Sequence, residues 1–197
     1  WVTMPDQFTW SYLENTIRHR ADDKPVFAEL GLISSHAPWT PILEVIDDWS
    51  AIGDGRIFER WADAGERPEE LWEDWDRVRE HYARSVAYAV ETMGSWAAHH
   101  VDDQLMLIAL GDHQPAPLIT GDDAPRTVPI HVITADAELL QPFVDWGFRM
   151  GVDPAGTPVR RMNEFRPWFV QAYSQPDRLS GLSVALQPVA RAASGPA

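Results

Sequence analysis

The chain contains no cysteine. That excludes disulfides, thiolate metal sites and a cysteine nucleophile, and it fits a reducing or an oxidising compartment equally. No basic patch offsets a formal net charge of −14, so binding through nucleic-acid phosphates is excluded. There is no run of about eighteen apolar residues to cross a membrane. No signal peptide and no internal repeat is visible. What is present is an apolar share of 45% with ten tryptophans over 197 residues, enough to bury one substantial core. A single α/β domain is expected over residues 1–175, followed by a flexible tail over 176–197 that is poor in aromatics and ends in ARAASGPA. The first residue is Trp1 rather than Met, so residues upstream of it are expected to matter.

Residues 104–115, QLMLIALGDHQP, carry the strongest chemical signal. An apolar run bounded by turn residues predicts a strand covered on both faces, the situation of a parallel sheet. Gly111 turns the backbone and delivers Asp112 and His113 together at the strand's carboxyl end, where ligands bind in open α/β sheets. A second strand is expected over 26–33, VFAELGLI, which opens onto the proline-rich loop SSHAPWTP at 34–41. A third is expected at 129–134, PIHVIT, with His131 packed in the core.

Helices are expected at about 5–22, 68–100, 138–147 and 161–173. In the first, Phe8, Tyr12, Leu13, Thr16 and Ile17 mark one face, and Asp22 with Asp23 ends it. The longest carries Leu71, Trp72, Trp75, Val78, Tyr82, Val86, Ala89, Met93 and Trp96 at spacings of three and four, a stripe that reads as core packing. His81, His99 and His100 are expected near solvent, the last two favoured by the negative end of the helix dipole. This order of elements predicts a largely parallel sheet flanked by helices. The long irregular stretch 42–68 contains Asp54 between two glycines, either a substrate contact or a turn former.

If the strands 26–33 and 104–110 are neighbours, His36, Asp112 and His113 converge on one crevice. A carboxylate and an imidazole suit zinc or manganese, but a catalytic metal generally takes three protein ligands, so a partner is missing. Taken alone, His36 could be an ordinary hydrogen-bonding residue, and Asp112 could cap the turn that follows it.

The GDH pair, the SSHAPW loop and the order of elements between them resemble the C-terminal part of the sulfatase-like branch of the alkaline phosphatase superfamily. The chain is most similar there to membrane-anchored, extracytoplasmic enzymes akin to lipoteichoic acid synthases and phosphoethanolamine transferases. The MPDQ opening at 4–7, the GDG turn and the RMNEF segment at 161–165 are similar to actinobacterial membrane proteins of this type, over about residues 4–173. The resemblance implies an alkaline phosphatase/sulfatase-like fold that is incomplete at its N-terminus.

It also implies Asp112 and His113 as ligands of a divalent metal (Mn, Zn, Mg or Ca) and His36 as the catalytic contact to the transferred phosphate or sulfate group. Ser35 and Asp54 are candidate substrate contacts. No nucleophile is assigned in this chain, Ser34 and Ser35 being in the wrong loop for that role. The implied partner is a small-molecule or lipid-linked phosphate or sulfate ester on the outer face of a membrane, reached only through segments outside this soluble chain. These 197 residues would then be a half-site, with weak metal binding and no turnover of their own. The alternative is a non-catalytic extracytoplasmic module that binds a glycan, lipid head group or protein.

Overall fold

Pro5 stands just ahead of α1 (Asp6–Tyr12), which continues as a wider π-helical turn through Leu13–Arg18. The computed structural model describes residues 4–19 and 24–174. The expected end of the first helix at Asp22 and Asp23, and the expected tail over 176–197, lie outside the described residues.

The expected long helix is interrupted near its start. α2 (Pro68–Leu71) stops within one turn, and α3 (Trp75–His100) begins afresh. Asp74 causes the restart, because its carboxylate accepts from the backbone N–H groups of Asp76 (3.0 Å) and Arg77 (3.3 Å) as an N-cap. The 26 residues of α3 extend about 39 Å and carry much of the core. Its buried face runs through Val78, Ser85, Tyr88, Thr92 and Trp96, a rotation from the expected stripe that leaves Trp75 51% exposed. α1 packs against α3, and its buried positions are likewise partly polar: Asp6, Gln7, Trp10 and Ser11, with Leu13 and Glu14 in the turn beyond. Tyr12, expected inside, is exposed.

Buried polar groups generally find partners, and several do here, although Asp6 Oδ2 and Thr92 Oγ1 have none among the described residues. Asp6 Oδ1 accepts from the backbone N–H groups of Ile33 and Ser34, both at 2.9 Å. The Gln7 amide pairs with both backbone groups of Ile46, accepting from its N–H at 2.9 Å and donating to its carbonyl at 2.7 Å. Two non-helical segments are thereby fixed to the start of α1. Trp10, Leu13, Trp96 and Ala97 form one core cluster, with Leu30, Leu32, Leu105 and Leu107 packed around it. Ile46, Ile52 and Phe58 form another, and Trp39, Leu71 and Val78 a third.

The largely parallel sheet is not there. Among the described residues about 47% are helical, and the one sheet has two strands. β1 (Leu107–Leu110) pairs antiparallel with β2 (Ile130–Ile133), Leu107 opposite Ile133 and Ala109 opposite His131. A parallel partner needs a crossover that covers the sheet. The intervening segment contains only the one-turn α4 (Pro117–Thr120), so β2 returns alongside β1. Both strands are half-buried rather than enclosed, and His131 shares that half-buried state instead of lying in the core. Residues 26–33 carry no regular secondary structure and join no sheet among the described residues. Leu30 and Leu32 pack instead on the cluster of Trp10, Leu13, Trp96 and Ala97.

By its internal contacts the chain forms two units, 1–140 and 141–197. The second contains the end of α5 (Ala137–Asp145) and α6 (Met162–Tyr173). Its centre is Phe143, fully buried, with Phe148, Phe165, Trp168, Phe169 and Tyr173 around it at ring distances of 4.9 to 6.4 Å.

One consequence of the α1/α3 interface is measurable. Tyr88 is buried against α1, and loss of hydration pushes its phenol up to about 12; the nearby Gln7 backbone and Thr92 hydroxyl oppose this weakly, neither closing a well-formed hydrogen bond to the phenol oxygen. The folded state therefore holds the proton more tightly than the unfolded chain, whose tyrosines titrate near 10. Stability is complete below about pH 10 and falls by roughly 2 to 3 kcal/mol as pH rises to about 12. Tyr88→Phe should flatten this alkaline decline in denaturant titrations at pH 9 and 11. An equal decline in the variant would contradict the assignment.

Candidate functional site

Asp112 and His113 follow β1 directly, as the sequence predicts. Both are open to solvent, with side chains 87% and 69% exposed. The Asp112 Oδ1 accepts from the His113 backbone N–H at 2.9 Å, which fixes the carboxylate against the turn. His113 Nδ1 lies 2.7 Å from the Gln114 carbonyl. A proton on Nδ1 donates to that oxygen and leaves the lone pair on Nε2. Such a backbone acceptor on the far nitrogen is the usual way a metal-binding imidazole is oriented. Nε2 stands 3.6 Å from Asp112 Oδ2. Two ligands at about 2.1 Å from a tetrahedral ion are themselves about 3.4 Å apart, so the pair fits adjacent corners of one coordination sphere. Among the described residues, no group of three His, Asp or Glu side chains is placed to hold a metal ion. The pair by itself offers two donor atoms, Asp112 Oδ2 and His113 Nε2.

His36 is exposed in a loop that is built firmly. Trp39, at φ 60 and buried, donates its indole N–H to the Ser35 carbonyl at 2.9 Å, and its own carbonyl lies 3.0 Å from His81 Nδ1 on α3. Its ring stacks on Trp72 at 5.4 Å and meets Tyr82 edge-on. A left-handed backbone at a bulky residue persists only where surroundings over-determine it, and here four residues do so. His81, expected near solvent, is half-buried as one of these anchors. Ser35 serves the loop through its carbonyl, with no hydrogen bond of its hydroxyl to a described residue. His36 Nδ1 lies 2.9 Å from the Ala37 carbonyl, so the lone pair again falls on Nε2. Among the described residues, no hydrogen bond or ion pair joins His36 to Asp112 or His113. The feature the two loops share is the core beneath them: Leu30 and Leu32 precede one, Leu105 and Leu107 the other, all packed on the Trp10 and Trp96 cluster.

Asp54 has the structure of a turn residue. Its Oδ1 accepts from the Arg56 N–H at 3.2 Å and its Oδ2 pairs with the Arg56 guanidinium at 2.9 Å. Gly55 follows at φ 88, where a Cβ would come within 2.8 Å of the Phe8 ring. Both observations are met by turn chemistry alone.

Set against known proteins, the chain matches no family model, no curated protein and no solved structure.

A second cluster escaped the sequence pattern. Glu14 is 9% exposed, with Arg18 Nη1 at 2.9 Å, His19 Nε2 at 2.8 Å and His100 Nδ1 at 3.4 Å around its two oxygens. Arg18 also donates to the His100 carbonyl at 3.4 Å and lies over the Trp96 ring. With His99 and Asp102 these residues line an open cleft of about 380 Å³. Burial holds the His100 imidazole below its ordinary pKa, and Glu14 opposes that shift. The histidine's contribution to stability is therefore present above about pH 6.5 and is lost as pH falls through the lowered value. Helical spacing placed Glu14 on a polar face; its one advance signal was Arg18 four residues on.

Proposed function

We propose that Asp112 and His113 are two ligands of a divalent cation serving hydrolysis or transfer of phosphate or sulfate esters. The 3.6 Å separation of their free donor atoms carries this reading, together with the backbone acceptor that orients the imidazole. A cation bound there would lower the pKa of an attacking hydroxyl and neutralise charge on the transferred group. His36, with an exposed Nε2 on a rigid loop, would meet an oxyanion of the substrate or protonate the leaving group. The remaining ligands and the nucleophile would come from segments outside these 197 residues. By resemblance the substrate is a small-molecule or lipid-linked ester at the outer face of a membrane. Among the described residues no helix is long and apolar enough to cross one.

Calorimetric titration of Mn²⁺ or Zn²⁺ tests the ligand assignment. Changes in the outer shell of metal sites already cost roughly 10- to 100-fold in affinity, so His113→Ala should weaken binding to the full-length protein by at least about tenfold. The 197-residue chain alone should bind weakly, having fewer than the three ligands of a catalytic site. Unchanged affinity in the His113 variant would return the chain to the class of binding modules.

A further inference from the structure

The loop 146–161, which joins α5 to α6, has two properties that rarely coincide in an acidic protein. It holds three arginines and one aspartate, a local charge of +2 within a chain of −14. It also projects three large apolar side chains almost fully into solvent, Met150 at 76%, Val152 at 85% and Val159 at 78% exposure. We propose that this loop is a docking element for an anionic lipid surface.

The charge is not neutralised locally. Among the described residues Arg149, Arg160, Arg161 and Arg166 form no ion pair, which is also true of Arg60, Arg84 and Arg126, whereas Arg18, Arg56, Arg67, Arg77 and Arg79 each face a carboxylate. Arg149 donates to the Ala155 carbonyl at 3.3 Å, and Arg160 donates to the Trp146 carbonyl at 3.1 and 2.8 Å while lying over that tryptophan's ring. Both contacts fix the side chains and leave the full positive charge.

The loop is also ordered before it meets any partner. Ala155 N–H donates to Asp153 at 2.9 Å and the Thr157 hydroxyl to the Pro154 carbonyl at 2.6 Å. Arg149 covers Gly156 and Pro158 covers Gly147, each so closely that a Cβ at the glycine would come within 2.9 Å. The apolar side chains are thus held out in water by a rigid frame. Exposed aliphatic side chains on a loop of net positive charge suit shallow insertion below anionic lipid head groups. Arg149, Arg160 and Arg161 would supply the positive charge that meets lipid phosphates.

This inference does not depend on the metal site. It is tested by co-sedimentation of the protein with phosphatidylcholine vesicles, with and without phosphatidylglycerol. Binding is expected only to the anionic vesicles, to fall with added salt, and to drop by roughly tenfold or more in the Met150→Asp, Val152→Asp double variant, since two apolar tips are lost from the interface. Both positions are exposed, so the variant should fold normally. Val26→Asp with Phe27→Asp, which alters exposed apolar residues elsewhere, should bind as the parent does. Equal binding of the loop variant, failure to bind anionic vesicles, or preference for soluble polyglutamate over them would each overturn the proposal.

Discussion

Trp96→Ala should lower the stability of the protein by about 3 to 5 kcal/mol, the range for removing a large aromatic from a packed core. Trp96 is fully buried on α3. Its ring lies 4.6 Å from Trp10, 5.3 Å from His100 and 5.6 Å from the Arg18 guanidinium. One substitution therefore removes the contact between α1 and α3, the floor under the Glu14 cluster, and the support for Leu30, Leu32, Leu105 and Leu107. Trp96→Phe should cost less, because the indole N–H it eliminates has no hydrogen-bond partner and a buried orphan donor is itself unfavourable. Trp75→Ala serves as the control. That ring is half exposed on the same helix, and surface changes stay within about 0.5 kcal/mol. Denaturant midpoints for the three variants measure the differences directly, and comparable losses at positions 75 and 96 would show that the core has been misplaced.

The second large effect concerns activity. If the proposed ester chemistry holds, Asp112→Ala should reduce divalent-metal-dependent turnover of phosphate or sulfate esters by at least about 100-fold, roughly 2.7 kcal/mol of transition-state stabilisation. His36→Ala should fall in the same range, given that a positioned acid or base contributes about 10²- to 10⁴-fold. Asp54→Ala should stay within a few-fold, because the carboxylate is already committed to Arg56. The contrast matters more than any one value. Loss at Asp54 with retention at Asp112 would invert the assignment of ligand and turn former.

The helices are legible as elements from their apolar spacing, although the buried face of α3 is rotated from the expected stripe and that of α1 is partly polar, and β1 is legible because Gly111 ends an apolar run. Other features depend on contacts that no local pattern encodes. Residues 26–33 have strand composition, but composition specifies an extended backbone and not a partner. The parallel sheet was inferred from the apolar run of β1, whereas strand direction followed from a connection whose only helix is four residues long. Asp74 falls inside the expected helix 68–100, and its capping role shows only in the hydrogen bonds to Asp76 and Arg77. Asp6, Gln7 and Glu14 look like solvent-facing residues on a helix. They are buried because Ile33, Ser34, Ile46, Arg18 and His100 arrive from elsewhere with matching hydrogen-bonding groups.

The central claim is that Asp112 and His113 ligate one metal ion. Anomalous diffraction at the Mn or Zn edge, from crystals of the full-length protein grown with that metal, tests it most directly. A peak about 2.0 to 2.2 Å from both an Asp112 carboxylate oxygen and His113 Nε2 is predicted. An ordered metal elsewhere, with these two side chains bound to nothing but their own turn, would contradict it.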